Sequence, residues 1–262
     1  MKPLLKPKIL IAIPSYNCEK QITRTLEEID EKLLNRIEEI ALIDNGSTDK
    51  TIEAALDFKK TGKLGDKLHV YKNIKNYNLG GTHKVAFLHA ENLGFSHIII
   101  LHGDNQAKSN EANLFIDYIE THPECQTILG SRFNKKSTLI GYDKKRIFGN
   151  KVLNIIYSIL TLKKCEDLGS GLNLFALSNL DKQTYLQFAD KLTFNYELLL
   201  DLIKRKINFA YTPITWREED QVTNARNVNI FKTALLNLLS WRFGKKYKQI
   251  NKAEDYKCKE VL

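Results

Sequence analysis

Short apolar runs alternating with segments of helical period constrain this chain more than any other feature. Runs at Lys8 to Ile13, Glu39 to Asp44, Lys67 to Lys72 and His97 to Leu101 read as strands. Patterns at about 19–36, 49–59, 82–93 and 109–121 read as the helices between them. Such βαβα alternation with short connections predicts a parallel sheet with helices on both faces, because near-continuous apolar strands must be covered on each side. In open sheets of this kind ligands sit beyond the carboxyl ends of the strands. The polar clusters of the first half fall at such ends: Pro14-Ser15-Tyr16-Asn17, Asp44-Asn45-Gly46-Ser47, and His102-Gly103-Asp104-Asn105-Gln106.

The second half is mixed in order. An apolar strand "TILGSRF" precedes a helix at about 145–162, a strand "GLNLFAL", a helix at about 194–206 and a strand "INFAYTPITW". No repeat, low-complexity tract or Pro/Gly-rich linker divides the chain, so one continuous unit over 1–225 is expected, followed by a C-terminal helix and basic tail over 226–262. In 228–246, Phe231, Leu235, Leu238 and Arg242 recur at helical spacing, with Lys245 and Lys246 beyond. That pattern suits an interfacial membrane helix or a helix packed on the core.

The 262 residues are 43% hydrophobic, which supports a sizeable core and excludes a disordered chain. A formal charge of +9 points to anionic partners: nucleic acid, an anionic membrane or a phosphate-bearing substrate. Nucleic acid is disfavoured, since the Lys and Arg are dispersed and no aromatic-basic array offers base stacking. A dinucleotide or P-loop enzyme is disfavoured as well, since neither G-x-G-x-x-G nor G-x-x-x-x-G-K-[ST] occurs. Cys18, Cys125, Cys165 and Cys258 lack C-x-x-C pairing, so neither a zinc cluster nor a disulfide framework is implied, and a reduced cytoplasmic chain is expected. The N-terminal apolar run is too short for a signal peptide, and no run reaches the roughly 20 apolar residues of a membrane span.

The loop His102 to Gln106 carries hard oxygen donors: Asp104, with Asn105 and Gln106 beside it and Gly103 allowing unusual backbone angles. Such a sparse oxygen set suits Mg²⁺ or Mn²⁺ when substrate phosphates complete the shell.

"IAIPSYNCEKQI", "ALIDNGSTDKT", "NLGGTHKVAF" and "LHGDNQ" occur in the order and spacing of family 2 glycosyltransferases with the GT-A fold. Downstream, "GSRF", "DLGSGLNLF", "FNYELL" and "PITWREED" resemble the branch of dolichyl-phosphate mannose synthases and bacterial polyprenyl-phosphate glycosyltransferases. The resemblance spans residues 8 to about 225. It implies a Rossmann-like, mostly parallel sheet and a metal-dependent inverting transfer from a UDP- or GDP-sugar to a polyprenyl phosphate or a cell-surface glycan.

Carried over by motif, Pro14, Ser15 and Tyr16 resemble the wall for the nucleotide base, and Asp44 the nucleoside carboxylate. Lys84, His102 and Gly103 fall in the donor motifs. Asp104 and Gln106 match metal-binding positions of a D-x-D-x-Q pattern whose first Asp is replaced here by His102. Arg132, with Lys145 or Arg146, resembles the acceptor-phosphate ligands, for which bidentate Arg is suited. Arg217 is similar to a loop residue near the donor phosphates. If the acceptor is a hydroxyl, Asp167 or Glu197 would be the base; an acceptor phosphate, already anionic, needs none. The same residues leave structural readings open: Asp167 organising its turn and Glu197 capping a helix. The implied setting is polysaccharide biosynthesis at the inner face of the cytoplasmic membrane, with peripheral membrane contact.

Overall fold

The computed structural model describes residues 6–220, 227–244 and 251–261. Its strands are β1 (Ile9–Ser15), β2 (Glu39–Asp44), β3 (Leu68–Asn73), β4 (His97–Leu101), β5 (Thr127–Ser131), β6 (Thr138–Ile140), β7 (Leu172–Ala176), β8 (Ala210–Pro213), β9 (Thr215–Arg217) and β10 (Cys258–Glu260). Its helices are α1 (Glu19–Glu27), α2 (Glu31–Leu34), α3 (Thr51–Lys60), α4 (Asn78–Asn92), α5 (Ala112–Thr121), α6 (Lys144–Thr161), α7 (Lys182–Tyr185), α8 (Phe194–Lys204) and α9 (Asn227–Phe243).

The main sheet has the order β10-β3-β2-β1-β4-β7-β5-β8. Strands β1 to β4 run parallel, as the alternation predicts, and β8 runs parallel to β5. Both faces are covered, which is why the strands read as continuous apolar runs. Leu10, Ala12, Ile98 and Ile100 face one core with α4 and α8, whereas Ile11, Ile13, Ile99 and Leu101 face the other with α1, α3 and α5.

β7 inserts antiparallel between β4 and β5, with Leu172 paired to Leu101. Its amino end therefore lies at the carboxyl edge of β4, and the loop ahead of it joins the polar edge of the sheet. The expected strand "INFAYTPITW" divides: β8 stays in the main sheet, and β9 leaves it to pair with β6.

The helix expected over 19–36 breaks after α1, because the Asp30 carboxylate accepts from Leu33 N at 2.7 Å and starts α2. The helix expected from 82 begins at Asn78 and takes in Gly80 and Gly81. The tail beyond 225 also contributes to the sheet, since β10 pairs antiparallel with β3 at its edge. α9 covers most of the expected helix and buries Ala234 and Leu238; Lys245 and Lys246 lie outside the described residues. Among the described residues no helix is long and apolar enough to cross a membrane.

Gly80 lets α4 approach the loop before α8: a Cβ there would sit 2.5 Å from both Ala189 O and Phe194 Cβ. Gly80→Ala is expected to destabilise the fold by about 1–3 kcal/mol, as overpacking does, read as a lowered urea midpoint at unchanged slope.

Candidate active site

The loop after β4 is stitched into the sheet edge on both sides. Gly103 N donates to Pro14 O at 3.0 Å, and His102 N donates to Gly171 O at 2.9 Å. Gly103 has no alternative, because a Cβ would collide with Ser15 Oγ. Asn105 adopts the left-handed region at φ 56°, which turns the chain so that Asp104 Oδ1 accepts from Gln106 N at 3.1 Å. Asp104 is half-buried, and burial raises its pKa, opposed by His102 and by backbone donors. Burial, with the Asp104 charge behind it, pushes the neighbouring Cys18 thiol up to about 12. The single carboxyl of this loop thus sits in a poorly solvated corner.

The loops after β1 and β2 are zipped together. Asn17, at φ 52°, donates from its N–H to Ser47 Oγ and accepts from Thr48 N at 2.8 Å. Asp44 is fully buried, and its carboxylate accepts from Gly46 N at 2.9 Å and Ser47 N at 3.1 Å. Ser15 is buried and donates to Ile13 O, so Pro14 and Ser15 shape this wall through the backbone. Tyr16, 43% exposed, stands at its rim.

His102 is half-buried. Its Nε2 lies 3.1 Å from His83 Nε2, and a Cβ on Gly171 would sit 2.9 Å from its Nδ1, so glycine makes the room. Burial lowers the pKa of His102; Asp104 opposes this and Arg132 reinforces it. Burial drives His83 well below its ordinary value, aided by His102, and the pair is neutral. His83 is a site residue that the sequence reading missed. Its placement in "NLGGTHKV", beside the helix glycines, was the available signal.

On the other flank, Arg132 forms a fork with the buried Asp167: Nε–Oδ2 and Nη2–Oδ1 are both 2.7 Å. Arg132 N and Gly169 N also donate to that carboxylate. The Arg132 guanidinium lies 4.9 Å from the Trp216 ring centroid. Burial disfavours its charge, yet Asp167 outweighs burial and the net pKa is raised. Arg146 Nη1 holds both oxygens of Glu218 at 2.7 and 2.6 Å, and Gln106 Nε2 donates to the same carboxylate at 3.4 Å. Glu218 is a second residue missed by sequence reasoning, although it lies inside the quoted "WREED". Lys145 is exposed. Arg217 grips Glu28 at 2.7 and 3.0 Å, so it reaches a phosphate only if that pair opens.

One expectation requires correction. Lys84 is fully buried and donates to Leu186 O, Phe188 O, Asp190 Oδ1 and Tyr256 OH. It ties α4 to the loop before α8 and to the C-terminal segment, and it does not face a donor site. Asp167 has both oxygens engaged, by Arg132 and Gly169 N, the arrangement of a residue that organises its turn. Glu197 Oε2 accepts from Ala189 N at 2.6 Å and braces the Lys84 loop.

The sequence model of the family Glycosyl transferase family 2 matches residues 10–177. The dolichyl-phosphate beta-glucosyltransferase of Saccharomyces cerevisiae is 26% identical over 244 residues, covering 86% of this chain and 71% of that protein. Dolichyl-phosphate beta-glucosyltransferase ALG5D of Trichomonas vaginalis is 22% identical over 232 residues, covering 81% and 67%. Among solved structures, glucosyl-3-phosphoglycerate synthase from Mycobacterium tuberculosis, in complex with Mn²⁺, uridine diphosphate and glucosyl-3-phosphoglycerate, superposes with a TM-score of 0.66 at 14% identity. That match covers 92% of this chain and 81% of the synthase.

Asp167→Asn leaves Arg132 buried without its counter-charge and is expected to cost about 3–5 kcal/mol in chemical denaturation. The histidines give a pH signature. Lowered folded pKa values mean that the unfolded chain binds more protons, so stability is full above about pH 6.5 and is lost as pH falls below it. Denaturation midpoints measured from pH 7.5 down to 5 should fall along that limb. His83→Gln should flatten the limb, leaving the part due to His102 and His97.

Proposed function

The chain belongs to glycosyl transferase family 2 and is a glycosyltransferase of the GT-A fold, and we propose that it transfers a sugar from a UDP- or GDP-sugar to a polyprenyl phosphate with inversion. The observation that carries the acceptor assignment is that both carboxylates suggested as bases are engaged elsewhere: Asp167 by Arg132, Glu197 by Ala189 N. A hydroxyl acceptor would call for a carboxylate to take its proton, whereas a phosphate acceptor brings an anionic oxygen. The dolichyl-phosphate relatives support the same class of acceptor.

In this reading Tyr16 and the backbone of Pro14 and Ser15 line the base, with Asp44 holding the turn against which the nucleoside packs. Asp104, with Gln106, would hold a divalent ion: the raised pKa of Asp104 marks a negative charge that a cation relieves. Among the described residues no three His, Cys, Asp or Glu side chains cluster to hold a metal, so the donor diphosphate would supply most of the shell. When bound, that ion neutralises charge on the departing nucleoside diphosphate. Mn²⁺ is the first choice and Mg²⁺ the second; the mycobacterial synthase is described with Mn²⁺ and uridine diphosphate.

Asp167 takes Nε and Nη2 of Arg132, so its Nη1 edge is the one left to meet an acceptor phosphate. Lys145 and Arg146 supply further positive charge at the start of α6. The family resemblance implies inversion, which a single displacement would give with the attacking phosphate oxygen and the leaving diphosphate on opposite sides of the anomeric carbon. The reaction belongs at the inner face of the cytoplasmic membrane, where such lipid acceptors are reached.

Titration calorimetry with UDP and GDP, with and without Mn²⁺, checks the donor side. One nucleotide should bind more tightly with the metal, and Asp104→Ala should weaken that binding by at least about tenfold. Sugar transferred to a membrane extract should appear as a lipid in the organic phase. Product in a water-soluble polymer would overturn the acceptor assignment, and no metal-dependent nucleotide binding would overturn the donor assignment.

A further inference from the structure

Helices α6 and α9 are apolar on the side that faces away from the core as well as on the side that faces it. Inward, Leu153 and Tyr157 of α6 and Ala234 and Leu238 of α9 are buried in one cluster. Tyr157 OH donates to Ala234 O at 2.8 Å and fastens the two helices to each other.

Outward, on the opposite side of α6, Phe148, Ile155, Ile159 and the capping Leu162 recur at i, i+7, i+11 and i+14, a single stripe. Phe148 is 72% and Leu162 92% exposed. On α9, Leu236, Leu239 and Phe243 recur at i, i+3 and i+7, with Phe243 81% exposed. More than half of the large hydrophobics exposed among the described residues lie on these two helices and the α6 cap. Scattered exposed leucines require no explanation, but stripes of this length on adjoining helices do.

Charge identifies what covers them. α6 carries Lys144, Lys145, Arg146 and Lys151, α9 carries Lys232 and Arg242, and neither helix contains an Asp or Glu. Exposed apolar stripes on helices whose own charged residues are all cations complement an anionic bilayer surface, where the apolar side chains enter the acyl boundary and the cations meet headgroups. A second copy of the chain would bring the same cations against themselves.

We propose that α6 and α9 together form a docking face for an anionic lipid bilayer, and that this face presents the candidate site to the membrane surface. The second half rests on the acceptor reading above. Its structural basis is the first turn of α6: Arg146 grips Glu218, which also accepts from Gln106 of the β4 loop, and the stripe begins two residues later at Phe148. Docking α6 along its stripe sets its amino end, and the mouth beside it, at headgroup level. Each helix lies along the surface and none crosses it.

Flotation of the full-length chain with phosphatidylcholine vesicles, with and without phosphatidylglycerol, tests the proposal. The chain should float with the anionic vesicles. Phe148→Asp/Ile159→Asp/Phe243→Asp should reduce partition by about 100-fold or more, since each side chain no longer transfers apolar area. Phe148→Ser alone should give a smaller loss in the same direction. Both variants should keep the wild-type circular dichroism and nucleotide titration, because these residues lie outside the site. A wild-type chain that stays with the aqueous phase overturns the proposal, as does a triple variant that floats equally well. A dimer in light scattering that Phe148→Ser converts to monomer, without flotation of the wild type, assigns the face to a second copy instead. If flotation behaves as expected but no nucleoside diphosphate binds, the surface stands and the transferase reading of the site fails.

Discussion

The buried ion pair between Arg132 and Asp167 is the joint on which the site depends. Removing two charges from water costs several kcal/mol per ion, so such a pair persists only where further donors satisfy it. Here Arg132 N, Arg132 Nε, Arg132 Nη2 and Gly169 N all converge on one carboxylate. Tyr211 of β8 donates to the Asp167 carbonyl at 3.0 Å, so a third strand is tied to the same residue. The consequence is positional more than energetic. Asp167 fixes the turn leading into β7, and Gly171 at the end of that turn accepts from His102 N. The guanidinium assigned to the acceptor and the loop assigned to the donor thus hang from one scaffold.

The segment after β9 closes over the scaffold with alternating charge. Arg217 pairs with Glu28, Glu218 with Arg146, and Asp220 with Arg24, which fastens "WREED" to α1 on one side and α6 on the other. Partly exposed pairs of this kind are worth about 1 kcal/mol or less each. On the proposed reading, an acceptor phosphate would take the place of Glu218 on Arg146, and the strap would keep Arg146 aimed at the mouth until then.

The first half of the fold was legible because its signals are local. Apolar runs of five or six residues with helical segments between them leave few alternatives to a parallel sheet, and polar clusters at successive strand ends locate the functional edge. What was not legible depends on direction and depth. Nothing in "GLNLFAL" says that β7 runs against its neighbours, since an apolar run reads alike in either direction. β10 is a polar tripeptide with no strand pattern at all; it pairs because the β3 edge is open to it. Lys84 misled because lysine is seldom fully buried. Its neighbours held the hint: Gly80, Gly81, His83 and Phe87 are buried around it, so α4 is enclosed on every side and a cation there must be held by protein groups.

His102 shows how a substitution within a motif alters the chemistry without altering the loop. The resemblance places a carboxylate there, and the structure places a neutral ring against His83 and Gly171, on the side of the sheet occupied by α4 and α8. Gly103 and Asn105 still give the loop its shape, so Asp104 keeps its position at the strand end. What changes is the electrostatic load. A second carboxylate beside Asp104 would repel it and raise its pKa further, whereas a neutral His102 adds no anion. On the proposed reading, a loop with one carboxylate holds a divalent cation weakly by itself and depends on diphosphate oxygens for the remainder. Each then raises the affinity for the other by the same factor, so cation and nucleotide enter as a linked pair. On that reading the histidine would move control of metal occupancy from the protein to the donor.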